Sequence, residues 1–200
     1  MIVAYRWYGG MMAMGSNSRK YLPDRDPDPD RELAERMVGG DRRALAQLLD
    51  RHLGRVYKYV SRCCGPGNEQ LVAEVVRTTF EQAVTMRRLR RYAQGRETAP
   101  LLYLLLRLAN RHLARKRARI VVTVTGPDDE AGQLRRAIFT LPARQQAALA
   151  LALFEELPAE DIAGVLGVRV ARAMRILRNA LWRIGPLVQV QHDSTSADDR

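Results

Sequence analysis

Cysteine is almost missing from this chain: Cys63 and Cys64 are the only two in 200 residues. Neighbours in sequence cannot close an ordinary unstrained disulfide, and two thiols cannot supply four metal ligands. A disulfide scaffold and a cysteine-built zinc module are thereby excluded, and a reducing, cytoplasmic setting fits. Long apolar runs are also lacking. No segment holds about 18 uncharged apolar residues, and the opening "MIVAYRWYGGMMAMGSNSRKYLP" has no continuous stretch of signal-peptide length, so neither export nor a membrane span is expected. Histidine is limited to His52, His112 and His192. None stands near paired carboxylates, a Cys/His set or a phosphate-binding glycine loop, which leaves no catalytic constellation, no metal and no cofactor to expect.

What is abundant is positive charge. Lysine and arginine number 33 against 22 aspartates and glutamates, a formal net charge of +11. This exceeds what solubility requires and points to a polyanionic partner, nucleic acid or an acidic membrane surface. With 46% hydrophobic residues the chain can also fill real cores, enough for one medium or two small domains.

The hydrophobic pattern is helical throughout. After a leader and an acidic, proline-rich arm over 1–29, whose "PDRDPDPD" composition resists helix until Arg31, Leu33, Met37 and Val38 share one helical face. Asp41 is placed to cap a second helix carrying Leu45, Leu48, Leu49, His52, Leu53, Val56 and Val60, which "CGPG" at 64–67 stops. A third helix begins near Glu69. A fourth runs from about Pro100 to Arg119, apolar almost all round at first and strongly basic at its end. Between Arg87 and Arg119 eleven arginines and lysines face the single acid Glu97. Tyr92 and Tyr103 lie in this field, where they could stack on bases, although a tyrosine among leucines is more often core. From 120 to 133 helical periodicity lapses around Gly126-Pro127, as in a flexible linker. The last unit, 134–187, offers four helical segments, with Pro142 and Pro158 where a helix's first turn tolerates them. A polar tail over 188–200 follows.

Within that last unit, "LPAEDIAGVLGVRVARAMRILRNALWRI" has the requirements of a helix-turn-helix: a small residue, Ala163, where the helices touch, a glycine, Gly167, for the turn, and Ile162, Leu166, Val168 and Ile176 to pin both helices. On a wheel from Val170, at about 100° per residue, Val170, Ala173, Ile176, Leu177, Ala180, Leu181 and Ile184 fall on one side. Arg172, Arg175, Arg178 and Asn179 fall on the other. Guanidinium forks match phosphate oxygens and the guanine edge, so this face has the chemistry of base reading. The plainer alternative is a solvated basic face on a helical hairpin.

At this level the layout resembles bacterial RNA polymerase sigma factors of the sigma-70 family, of the compact extracytoplasmic-function (ECF) type with regions 2 and 4 only. In region 4 the resemblance rests on Leu141, Pro142, Arg144, Gln145, Ile162, Ala163, Leu166, Gly167, Leu177 and Ala180. In region 2 it rests on Gly40-Asp41 and Ala44-Leu45 of "GGDRRALAQLLDRHLGRVYKYV", and on Phe80 and Ala83 of "EVVRTTFEQA". Departures occur as well. Glu74, Arg77 and Thr78 stand where the family usually has Asp, Gln and Glu; Leu104 replaces a tryptophan; Asn110-Arg111 inverts an Arg-Asn pair; and Ala171 to Met174 replace a run of small residues.

The resemblance implies an all-α fold of two small helical domains, a region 2 bundle over 30–119 and a region 4 helix-turn-helix over 134–187, joined by a flexible linker. It implies core RNA polymerase and promoter DNA as partners, with an anti-sigma factor as a further candidate, and no enzymatic activity. Polymerase would be met by Glu74, Val75, Arg77, Thr78 and Phe80. The minus-10 strand would be held by Asn110, Arg111, Arg115, Lys116 and Arg117, and the minus-35 element by Arg169, Arg172, Arg175, Arg178 and Asn179. Two rivals remain from the residues alone: a sigma-like DNA-binding regulator that does not direct initiation, and a basic helical protein-interaction module.

Overall fold

The computed structural model of the chain describes residues 28–85, 87–97, 99–120 and 130–195. Among these the architecture is all-helical, as the periodicity predicts. The leader before Asp28, the centre of the expected linker (121–129) and the last five residues lie outside the described residues.

Helix α1 spans Pro29–Val38 and begins two residues earlier than the composition predicts. The cause is local. Asp28 caps the helix, its carboxylate accepting from the Asp30 backbone N–H at 3.2 Å, and Pro29 occupies the first turn, where its missing N–H costs nothing. The acidic arm's end is tied down rather than loose: Tyr92 donates to Asp28 Oδ2 (2.6 Å), while His52 and Arg51 hold the two oxygens of Asp30 at 2.8 and 3.0 Å.

Asp41 then caps α2, Arg42–Cys64, accepting from the N–H groups of Arg43 (2.8 Å) and Ala44 (3.2 Å) as the sequence indicates. The helix ends at Gly65, whose φ of +78° favours glycine. A β-carbon there would also meet the Phe139 ring at 2.7 Å. Helices α3 (Glu69–Thr85) and α5 (Leu101–Lys116, continued by a 3-10 turn Arg117–Arg119) match their sequence signals. Between them lies α4, Arg87–Ala93, too short to show periodicity. Leu48, Val56, Tyr59 and Val60 of α2 pack with Val72, Val75 and Val76 of α3 and with Leu105, Leu106 and Ala109 of α5, all buried.

The second unit comprises α6 (Glu130–Thr140), α7 (Ala143–Leu153), α8 (Ala159–Leu166) and α9 (Val170–Thr195). Four of the residues expected to be linker, 130–133, are the first turn of α6. Helix α9 runs through Pro186 and on to Thr195, where the sequence reading ends the unit at 187.

The two units are not held apart. α5 packs on α8 and α2 packs on α7, so that the buried apolar residues of both units form one continuous core. Polar contacts seal the seam. Glu155, in the loop after α7, has a side chain only 5% exposed and receives the Arg55 guanidinium at 3.0 and 3.3 Å, with Arg62 at 3.7 Å. Arg62 also lies over the Phe154 ring at 4.2 Å. Tyr103 of α5 donates to Asp161 of α8 at 2.9 Å.

Candidate nucleic-acid interface

The turn between α8 and α9 forms because Gly167 adopts the left-handed conformation (φ 67°, ψ 38°). Its N–H and that of Val168 return to the carbonyls of Gly164 (3.3 Å) and Ala163 (3.0 Å), which closes α8 and frees the chain to reverse. Ile162, Ala163 and Val165 of α8 are buried with Ala173, Leu177, Ala180 and Ile184 of α9. The apolar stripe of the helical wheel is therefore the packed face. The exception is Val170, 40% exposed at the first position of the helix, before α9 has met the core.

The opposite face is open. Arg169, Arg172, Arg175, Arg178 and Asn179 are all exposed, and these arginines form no ion pair among the described residues. Every candidate minus-35 residue thus lies on one solvent-facing strip of α9 or in the turn before it. Trp182, 79% exposed, continues the outer surface one turn on.

The candidate minus-10 residues divide. Arg111 and Arg115 are exposed, but the other three are engaged inside the molecule. The buried Tyr59 hydroxyl donates to Asn110 Oδ1 at 2.6 Å. Lys116 Nζ donates to Glu74 Oε1, and Arg119 reaches the other oxygen of that carboxylate at 2.9 Å. Arg117 donates to Gln146 Oε1 (2.8 Å) and to the carbonyls of Leu141 (3.2 Å) and Phe139 (3.3 Å), crossing from one unit to the other. Nor do the two tyrosines of the basic field offer rings to bases. Tyr92 is buried and bonded to Asp28, and Tyr103 is turned into the seam, where burial and its bond to Asp161 push its hydroxyl up to about 12.

On α3 the candidate polymerase contacts also divide by exposure. Arg77 is exposed, Thr78 and Phe80 are half-buried, and Thr78 returns its hydroxyl to the Glu74 carbonyl at 2.8 Å. Val75 has no exposed surface: it faces α2 and α5 from inside the core and can present nothing to a partner. Glu74 is held below the usual carboxylate range, first by the Lys116 hydrogen bond and then by the Arg119 charge, against an opposing effect of burial. Its charge is shared with the basic end of α5, a pairing that the spacing of 42 residues hides from sequence inspection.

The cysteines are inert. Cys63 and Cys64 are buried free thiols, pushed up to about 12 and about 11 by burial. Among the described residues no group of side chains could hold a metal ion, and no helix is long and apolar enough to cross a membrane.

Comparison with known proteins adds to this geometry. Residues 131–184 match the family model "Sigma-70, region 4". Among solved structures, the chain is similar to CnrH in its complex with the cytosolic domain of CnrY, at 22% identity and a TM-score of 0.58, covering 80% of this chain and 97% of that one. A lower-scoring likeness, TM-score 0.33 and 20% identity, is to the RsbN–BldN complex, covering 77% of this chain and 98% of the other. No curated protein sequence matches. The CnrH likeness shows a shared fold, and the family match covers α8, the Gly167 turn and the arginine face of α9. Residues 131–184 are thus similar to sigma-70 region 4, on a helical fold shared with CnrH, in agreement with the resemblance read from the residues.

Proposed function

We propose that the chain is an RNA polymerase sigma factor that directs promoter-specific initiation by binding core polymerase and two separated promoter elements. The observation that carries this reading is the exposed arginine strip of α9, set behind a left-handed Gly167 turn within a region 4 match. Arg169, Arg172, Arg175, Arg178 and Asn179 contact minus-35 bases and phosphates. Arg111 and Arg115 are available to the minus-10 strand at once, whereas Asn110, Lys116 and Arg117 become available only when their internal partners let go. Glu74, Arg77, Thr78 and Phe80 form the polymerase face. The protein is a specificity subunit of the cytoplasm rather than an enzyme.

Reaching two elements of one promoter requires the seam to open, because Arg55–Glu155, Tyr103–Asp161 and Arg117–Gln146 all bind one unit to the other. A packed form of this kind suits storage by an antagonist. CnrH is seen with the cytosolic domain of CnrY, and an anti-sigma protein is the corresponding partner proposed here.

Run-off transcription with purified core polymerase and a promoter selected from random duplexes tests the reading. The expected outcome is a product that depends on both protein and promoter. Sequence-selective DNA binding without any product favours the second reading, a sigma-like regulator that does not initiate, to which the internal engagement of Asn110, Lys116 and Arg117 lends support.

A further inference from the structure

Trp182 is the most exposed large apolar side chain among the described residues, with 79% of its surface open to solvent. Tryptophan carries a large apolar area, and an indole left in water forgoes its burial. The fold makes no use of it. The packed stripe of α9 is complete with Ala173, Leu177, Ala180 and Ile184. Trp182 stands elsewhere on the helix: at about 100° per residue, seven positions make two turns less about 20°, so it lies almost in line with Arg175 and close to Arg178, four positions back.

The surroundings of the indole are cationic. Arg169, Arg172, Arg175, Arg178 and Arg183 are all exposed, and from Arg169 to Gly185 there is no aspartate or glutamate. Whatever covers Trp182 meets positive charge on the neighbouring turns, which selects a polyanion. The indole adds one polar atom, Nε1, whose N–H can only donate. A sugar–phosphate strand answers both parts: deoxyribose carbons offer an apolar seat for the ring, and phosphate oxygens accept from the N–H.

Distance along the helix separates Trp182 from the residues placed to read bases. At about 1.5 Å per residue it lies about 10 Å beyond Arg175 and about 20 Å beyond Arg169, whereas the major groove is about 12 Å wide. A helix whose first turns enter the groove therefore brings Trp182 to the groove's edge. From this we infer that Trp182 is a positioning residue for duplex DNA, seated on the strand that flanks the groove and fixing the inclination at which the arginines of α9 reach the bases. Backbone contacts of this kind set register and orientation without reading sequence. The inference rests on the reading of α9 as the duplex-facing helix. It does not require the seam to open, since the strip is exposed in the packed form.

The chain has two tryptophans, Trp7 and Trp182, so Trp7→Phe leaves Trp182 as its single fluorescent reporter. Titrating that full-length variant with a labelled 20-base-pair promoter duplex follows binding by anisotropy and the indole by acrylamide quenching. The quenching constant of Trp182 should fall at least about threefold in step with the anisotropy. In the otherwise unaltered chain, Trp182→Ala should weaken binding about five- to tenfold, equally for the promoter duplex and for single-base-changed duplexes, and Trp182→Phe, which keeps a ring and loses the N–H, by less. The salt slope should not change, because no charge is removed, and neither should the melting temperature, because the side chain packs on nothing. The inference is overturned, with the α9 reading intact, if anisotropy saturates while Trp182 stays accessible to acrylamide, or if Trp182→Ala binds within twofold of the unaltered chain. Protection by core polymerase alone and none by duplex assigns the indole to a protein contact and overturns it too. Duplex binding that protects Trp182 but shows no sequence preference overturns the promoter reading instead, and absence of any duplex binding overturns both.

Discussion

Arg107 and Arg117, on α5 and the turn that ends it, and Arg172, Arg175 and Arg178 along α9 are the same side chain in opposite circumstances. On α9 the guanidinium groups stand on the face away from the core and project into solvent. On α5 the helix is covered on nearly every side: α2 and α3 pack against it from its own unit, and α8 packs against it from the other. Its basic end is consequently folded into the seam, where Arg117 satisfies two backbone carbonyls and a glutamine, and the Arg107 guanidinium lies within 3.3 Å of where a β-carbon on Gly167 would sit. Arginine content alone does not distinguish a ligand-facing helix from a structural one. What distinguishes them is how much of the circumference is already occupied.

Removing Arg117 should break this comparison most visibly. Arg117→Ala strips the donor from Gln146 Oε1 and from the carbonyls of Phe139 and Leu141, leaving three acceptors without it, two of them on buried residues. Hydrogen bonds to charged groups are individually worth about 1.5–3 kcal/mol, and shared, partly exposed ones less, so a loss of about 2–4 kcal/mol is expected in urea unfolding. A change smaller than about 0.5 kcal/mol would mean that Arg117 is as free as the α9 arginines, and the contrast would collapse.

The reverse dissociation is expected on α9. Arg172→Ala and Arg175→Ala should each leave stability within about 0.5 kcal/mol, because neither side chain is packed or paired among the described residues. Each should weaken binding to a selected promoter duplex by about 1–3 kcal/mol if it reads a base, with altered preference at one position; a uniform loss across sequences assigns it to phosphate instead. Fluorescence anisotropy against wild-type and single-base-changed duplexes separates these outcomes.

The same contrast explains what could be read from the residues. Features governed by a few neighbouring positions were legible: the Asp41 cap, the stop at Gly65, the Gly167 turn and the apolar stripe of Ala173, Leu177, Ala180 and Ile184. The arginine strip of α9 was legible for the same reason, since a helix wheel alone assigns its outer face. The seam was not. Arg55 and Glu155 are 100 residues apart, and Tyr103 and Asp161 are 58 apart. Nothing local marks those side chains as partners. The sequence therefore reads as two domains on a flexible linker, while the structure packs them together. The internal engagement of Asn110, Lys116 and Arg117 was hidden likewise, because each partner lies on another element.

The smallest effect expected concerns His112, which is 3% exposed on α5 beneath that basic end. Burial lowers its pKa from the ordinary 6.5, and the charges of Arg115, Lys116 and Arg111 lower it further. Well above pH 6.5 the imidazole is neutral in both folded and unfolded chains and contributes no pH dependence. As pH falls through 6.5 the unfolded chain takes up the proton and the folded chain does not, so stability declines until the lowered folded pKa is reached. The depressed carboxyls of Asp41 and Glu74 act in a separate window, their contribution lost as pH falls below about 4.5 toward the lowered folded values. His112→Leu should therefore flatten the melting temperature between pH 7 and 5.5 without touching the acid limb. It also removes a buried ring nitrogen that has no partner, so it should cost little at pH 7. If the slope between pH 7 and 5.5 persists in this variant, the cationic end of α5 does not bear on the core beneath it, and the difference between the two arginine helices reduces to exposure alone.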